Sequence, residues 1–197
     1  ELGTSDAFVA RIDASGQWQW VRKAGGAGQD RATSLDQDED GNAVVGWTMG
    51  NTTYFDWTHG DPTGRDFTTA LEYAPYSAVV SVVDRNGDDV QTEQFVIPGG
   101  AMVDRLSPTD DGYVMVGRYW GDVSLGSHAL TGRGFFAPFV ARLDSALQPI
   151  GLSAVDADVG GVLDDGLHAW VGREQTVITG SFRGPMTYDG NTHPGSD

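Results

Sequence analysis

The chain has 197 residues, 12 basic against 28 acidic side chains and no cysteine, for a formal charge of −16. This balance argues against nucleic acid or an anionic membrane surface as the main partner, since phosphate contacts need clustered Lys and Arg. The missing cysteine excludes disulfides and thiolate chemistry, and no apolar run approaches the ~20 residues that span a bilayer, so no membrane insertion is expected. The chain begins at Glu1 without a signal-peptide pattern, which fits a mature chain, a proteolytic product or a piece excised from a longer one.

Taken in chain order, the first element is "AFVARID" (7–13), an alternating run in which Phe8, Ala10 and Ile12 fall on one side and Val9 and Arg11 on the other. The turn "ASG" (14–16) follows, with a Gly suited to positive φ. A second strand is expected over "QWQWVRKA" (17–24), with Trp18 and Trp20 on one face because they are two apart. After the connector "AGGAGQD" come a third strand near "RATSLD" (31–36), a turn "DEDGN" (38–42) and a fourth strand "NAVVGWT" (42–48).

The same order then recurs. "AVVSVVD" (78–84) and "PFVARLD" (138–144) repeat the first strand, and the anchors Asp13, Asp84 and Asp144 are 71 and 60 residues apart. "VVGWTMG" (44–50), "MVGRYWG" (115–121) and "ITGSFRG" (178–184) share apolar-x-Gly-x-x-x-Gly; the steps from each Asp to the following Gly46, Gly117 and Gly180 are 33, 33 and 36 residues. Two unrelated anchors at nearly one spacing define a structural repeat. Second strands are expected at 88–96 and 148–155, third strands at 102–107 and 167–171, and fourth strands at 113–119 and 176–182. No segment carries a helical period over ten residues. The fold class is therefore all-β, built of about three four-stranded antiparallel units, and Gly46, Gly117 and Gly180 are expected to permit close approach between neighbouring units.

The first unit, "DAFVARIDASGQWQWVRKAGGAGQDRATSLDQDEDGNAVVGWTMG", resembles the β-propeller repeat of bacterial surface and secreted proteins (SBBP, seven-bladed β-propeller repeat). The second unit has "IPGGAMVD" where that repeat has Gly-Gly-x-Gly, and the third has lost both the turn Gly after Asp144 and the Asp-Gly-Asn turn. The resemblance implies a propeller with blades in permuted order: 7–24 the outer strands of a split blade, 31–96 one blade, 102–155 another, and 166–182 the inner strands of the split blade. It implies an extracellular or cell-surface location. Three blades are fewer than a closed ring usually holds. The chain is then a piece of a longer array, an open stack, or a partner in a ring made by several chains.

Candidate chemistry is sparse. "DQDEDG" places Asp36, Asp38 and Asp40 at the alternate spacing of a calcium loop, but the twelfth position is Trp47 rather than Glu. An acidic hairpin turn is the competing reading, and calcium is the one cofactor the residues suggest. His59, His128, His168 and His193 have no metal-ligand spacing. No nucleophile elbow, phosphate loop or dinucleotide fingerprint is present, and nothing selects a glycosidase pair from loop carboxylates such as Asp56, Asp61, Asp66, Asp164 and Asp165. The long segment 56–75, with Trp57, Phe67 and Tyr73 amid polar residues, is a candidate protein- or glycan-binding surface together with 122–136 and 156–165. These readings favour a non-enzymatic binding or assembly module, with protein, glycan, a second copy or the rest of a longer propeller as partner. A glycan-active propeller enzyme and a purely structural piece of a filament or array are the alternatives.

Overall fold

The computed structural model describes residues 5–26, 28–50, 52–55, 65–68, 76–95, 99–132, 137–154, 168–171, 175–180, 186–188 and 191–193. These form eighteen strands and no helix: β1 (Ala7–Ile12), β2 (Trp18–Gly26), β3 (Arg31–Gln37), β4 (Ala43–Met49), β5 (Thr52–Phe55), β6 (Arg65–Thr68), β7 (Ser77–Val83), β8 (Asp89–Phe95), β9 (Ala101–Thr109), β10 (Gly112–Tyr119), β11 (Val123–Leu125), β12 (His128–Leu130), β13 (Ala137–Asp144), β14 (Pro149–Ala154), β15 (His168–Val171), β16 (Thr176–Thr179), β17 (Met186–Tyr188) and β18 (Asn191–His193). Every strand pair is antiparallel; a single parallel bridge joins Ser5 to Gln29.

Two complete sheets have the same strand order, β3-β4-β7-β8 and β9-β10-β13-β14. A third sheet is β1-β2-β5-β6, and β15 pairs with β16 alone. Thus β5 and β6, inside the segment expected as the 31–96 unit, belong to the sheet of β1 and β2. The connectors after β4, β10 and β16 each contain a short hairpin, β5–β6, β11–β12 and β17–β18.

The sheets are layered face to face. Side chains alternate across a strand, and β4 and β7 are apolar at nearly every position because both their faces are covered. Val44, Val80 and Val82 face one cluster with Val103, Leu106, Met115, Phe139 and Leu143 of the β9-β10-β13-β14 sheet. Their neighbours Val45, Val79 and Val83 face a second cluster with Ala7, Val9 and Ala24 of β1 and β2. Beyond the β9-β10-β13-β14 sheet, Val114, Val116 and Val140 meet Ala169, Val171 and Ile178 of β15–β16. The order of layers is β1–β2, then the two complete sheets, then β15–β16.

Hydroxyls bridge the gap between the two complete sheets. The Ser34 Oγ donates to Leu106 O at 3.1 Å and accepts the Leu106 amide at 2.9 Å. Thr48 Oγ1 likewise accepts the Val103 amide at 3.1 Å. Both β9 groups flank the bulge at Val116/Gly117, where the ladder to β10 is interrupted. The bulge releases backbone groups and the facing sheet satisfies them.

One hairpin device recurs four times. Asp13, Asp84 and Asp144 each accept, through Oδ1, the amides two and four residues on, and Asp38 accepts the Asn42 amide. Gly16, Gly87 and Gly41 supply the left-handed residue, with φ of 83°, 86° and 79°. In the third unit Leu147 holds that place at φ 56°.

Two expectations are corrected here. Each second strand has an extra residue just past the turn, because Ile12 pairs with Trp18, Val83 with Asp89 and Leu143 with Pro149, skipping Gln19, Val90 and Ile150. This bulge puts Trp18 opposite Ile12 on the outer face, while Trp20 turns inward and donates its indole N–H to Arg85 O at 2.9 Å. Trp18 and Trp20 therefore do not share a face. Gly46 and Gly117 also differ, since Gly46 pairs with Val80 but Gly117 pairs with Phe139, a register slip of one that reverses the face. A Cβ on Gly46 would lie 2.7 Å from Val103 Cγ1 of the adjoining sheet, whereas one on Gly117 would strike Met102 O and the Phe139 ring of its own sheet. Gly180 is exposed.

Candidate interaction surface

The acidic triplet is built into a hairpin. Asp36 Oδ2 pairs with Arg105 Nη2 at 2.7 Å and its Oδ1 accepts the Gln37 amide. Asp38 accepts the Asn42 amide at 2.8 Å and its side-chain Nδ2 at 2.9 Å, and the Asp40 carbonyl accepts from Arg85. Asp36 and Asp38 thus turn to different partners, and the three carboxylates do not converge. Among the described residues no three His, Asp or Glu side chains are grouped to hold a metal ion.

Next to this hairpin, the turns at 38–40 and 108–111 enclose an open basin of about 370 Å³ lined by Asp38, Glu39, Asp40, Asp110, Asp111 and Tyr113. Burial raises the Tyr113 phenol above 10.0, with Asp38 and Asp40 adding to the shift. The phenol therefore stays protonated and available as a donor near neutral pH.

Trp57 and Tyr73 lie outside the described residues, as does 156–165; Phe67 falls in β6, where only the backbone is described. Of the segment 122–136, β11 and β12 form a hairpin whose Val123 and Leu125 are buried in the central cluster. That part of the expected contact surface contributes to the core.

Among the described residues most of the exposed large apolar side chains lie at the two ends of the stack, while Val90 and Ile150, the bulge residues of β8 and β14, are exposed on the internal sheets. On β1 and β2, Phe8 (62% exposed), Ile12, Trp18 (64%) and Val21 occupy the face turned away from the other described sheets. The counterparts of Phe8 and Ile12 in the other units, Val79 and Val83 or Phe139 and Leu143, are buried against a preceding layer. At the opposite end Trp170 (61%) and Val177, cross-strand partners on β15 and β16, are exposed.

Beside β1 runs a groove. One stretch of about 410 Å³ is lined by Phe8, Ile12, Trp18, Ala32 and Leu35, and an adjoining stretch of about 360 Å³ by Arg11, Trp20, Leu35, Gln37 and Gly41. Leu35, on β3, is 58% exposed in its floor. Among the described residues β1 has a strand neighbour only on its β2 side, whereas its counterparts β7 and β13 each have two. The groove lies where β4 and β10 lie in the complete sheets.

No protein-family model matches the chain, and none of the curated proteins matches it. Trp170 reads as a packing residue in the sequence, and Phe8 and Ile12 only as one face of a strand; the structure leaves all three exposed, on the sheets at either end of the stack.

Proposed function

We propose that the chain is a non-enzymatic β-propeller-type repeat module, of the kind its first unit resembles, acting outside the cell or on its surface in binding and assembly. The observation that carries this reading is the layer order. Two sheets of identical strand order are buried on both faces, and apolar aromatic faces are left open at the ends of the stack. A fold that buries its sheets only against copies of the same unit presents, at each end, a surface shaped for one more such partner. Exposed apolar patches rimmed by polar residues are where proteins and glycans dock.

The test uses the purified chain against a glycan array and against the chain itself immobilised, with the double variant Phe8→Asp/Trp170→Asp beside it. Both positions are exposed, so the fold is expected to survive. The expected outcome is binding that the variant abolishes, with no turnover of a panel of fluorogenic glycosides. Glycoside turnover, or binding indifferent to both substitutions, overturns the reading.

A further inference from the structure

We infer that β1 of one chain and β16 of a second copy are neighbouring strands of a single sheet, so that the chain assembles head to tail. This rests on the binding-and-assembly reading above and names its partner. In the complete sheets the order is β3-β4-β7-β8 and β9-β10-β13-β14. By position, β1 and β2 are the counterparts of β7–β8 and β13–β14, while β15 and β16 are the counterparts of β3–β4 and β9–β10. Among the described residues, β1–β2 therefore lacks the inner pair and β15–β16 lacks the outer pair. Each is the missing half of the other, and two complete layers separate them within one chain.

The face pattern selects one register. Paired residues on adjacent strands must share a face. Ile178 faces the preceding layer, as does Met115, its counterpart on β10. On β1, Val9 faces the following layer and Phe8 the preceding side. Placing β16 beside β1 as β10 lies beside β13 pairs Ala10 with Ile178, Val9 with Thr179 and Phe8 with Gly180, all face-matched. This repeats the pairing of Phe139 with Gly117, where the missing side chain admits the ring. The register of β4 on β7, slipped by one, would oppose Val9 to Gly180 and mismatch every face.

One docking event answers four separate exposures. The open edge of β1 gains its ladder. Leu35 and the groove floor are covered by Trp170 and Val177 of the incoming β15–β16. Phe8 and Ile12 meet the next layer of the second chain, as Phe139 and Leu143 do in the first. The contact is heterologous, so it closes into a ring or extends as a filament; two copies would close six sheets. With a charge of −16 on each copy, assembly is opposed by repulsion and strengthened by added salt.

Because the chain has no cysteine, single cysteines report the register directly. An Ala10→Cys chain is mixed with an Ile178→Cys chain, and separately Val9→Cys with Thr179→Cys; Ala10→Cys with Thr179→Cys is the off-register control. Under mild oxidation the in-register mixtures are expected to give disulfide dimer at least about tenfold faster than the control or either chain alone. Sedimentation of the unsubstituted chain, which needs no variant to fold, is expected to show association rising with concentration and with salt. Equal cross-linking in all mixtures, an intramolecular disulfide in a monomeric Ala10→Cys/Ile178→Cys chain, or a strict monomer up to high micromolar concentration overturns the inference. If the chain stays monomeric while Phe8→Asp/Trp170→Asp still abolishes glycan binding, the binding module stands and the second copy falls.

Discussion

Phe8 and Phe139 hold the same place in two nearly identical strands, yet the first is 62% exposed and the second fully buried. The difference is one layer of structure. Phe139 has the β3-β4-β7-β8 sheet in front of it, and among the described residues no layer covers Phe8. Substitution therefore separates the two. Phe139→Ala is expected to cost about 3–5 kcal/mol, the range for a buried phenylalanine that leaves a cavity. Phe8→Ala, in the dilute monomer, is expected to stay within about 0.5 kcal/mol. Urea unfolding at low micromolar concentration measures both; a comparable loss at Phe8 would mean that its face is already covered.

Leu147 is the one non-glycine with positive φ among the described residues, and it is fully buried. The turn it closes retains the geometry of its glycine counterparts, with the Leu147 amide donating to Asp144 O at 3.0 Å. Left-handed backbone costs about 1–2 kcal/mol for a residue with a Cβ. Removing a buried leucine side chain costs about 2–5 kcal/mol. Burial is the larger effect, so Leu147→Gly is expected to destabilise despite relaxing the backbone. The reverse change in the first unit, Gly16→Leu, has nothing within 4 Å to pack against and is expected to show the strain alone. A stabilised Leu147→Gly variant would show that the side chain contributes little there.

Much of the layering was legible because it rests on local rules. Apolar runs such as "AVVSVVD" and the Asp-x-x-Gly turns marked strands and hairpins, and the recurrence of two anchors marked the two sheets of like strand order. Faces were harder to read. The bulge at Gln19 carries no sequence mark, so counting by two put Trp18 beside Trp20. The single-residue slip between β4 and β10 is equally silent, although Gly46 and Gly117 align. The hairpins after β4, β10 and β16 are only three or four residues per strand and fell below the length at which alternation is visible. The candidate surface was missed because exposure of Phe8, Ile12 and Trp170 depends on which layer is absent, and no local pattern encodes that.

The gap between the two complete sheets is set partly by Gly46. A methyl group there would sit 2.7 Å from Val103 Cγ1 and 3.4 Å from Leu106 Cβ. Those side chains belong to β9, which the Ser34 and Thr48 hydroxyls hold in place. Gly46→Ala is therefore expected to cost about 1–3 kcal/mol by overpacking. Val103→Ala removes the nearest obstacle, so the double variant is expected to lose less than the two single losses together, with a coupling of about 0.5–3 kcal/mol. Simple additivity would show that the sheets separate freely and that Gly46 does not fix their spacing.

Asp84 ties its hairpin to the pH scale. Burial pushes its carboxyl upward, but the Asp88 and Asn86 amides, the Asn86 side chain and the Gly87 amide outweigh it, and the group titrates below 3.8. Asp13 is lowered likewise, first by the Ser15 hydroxyl and then by the Gln17 amide. A carboxyl whose pKa falls on folding stabilises above its unfolded pKa, and that contribution is lost as pH drops through the folded pKa. Asp84→Asn keeps an acceptor for the turn and removes the charge. The urea-midpoint advantage of the parent chain over this variant is expected to be constant from neutral pH to about 5, then to shrink below about 4 as the pH falls through the lowered folded-state pKa. A gap that widens on acidification would show that the amides hold the neutral acid rather than the carboxylate.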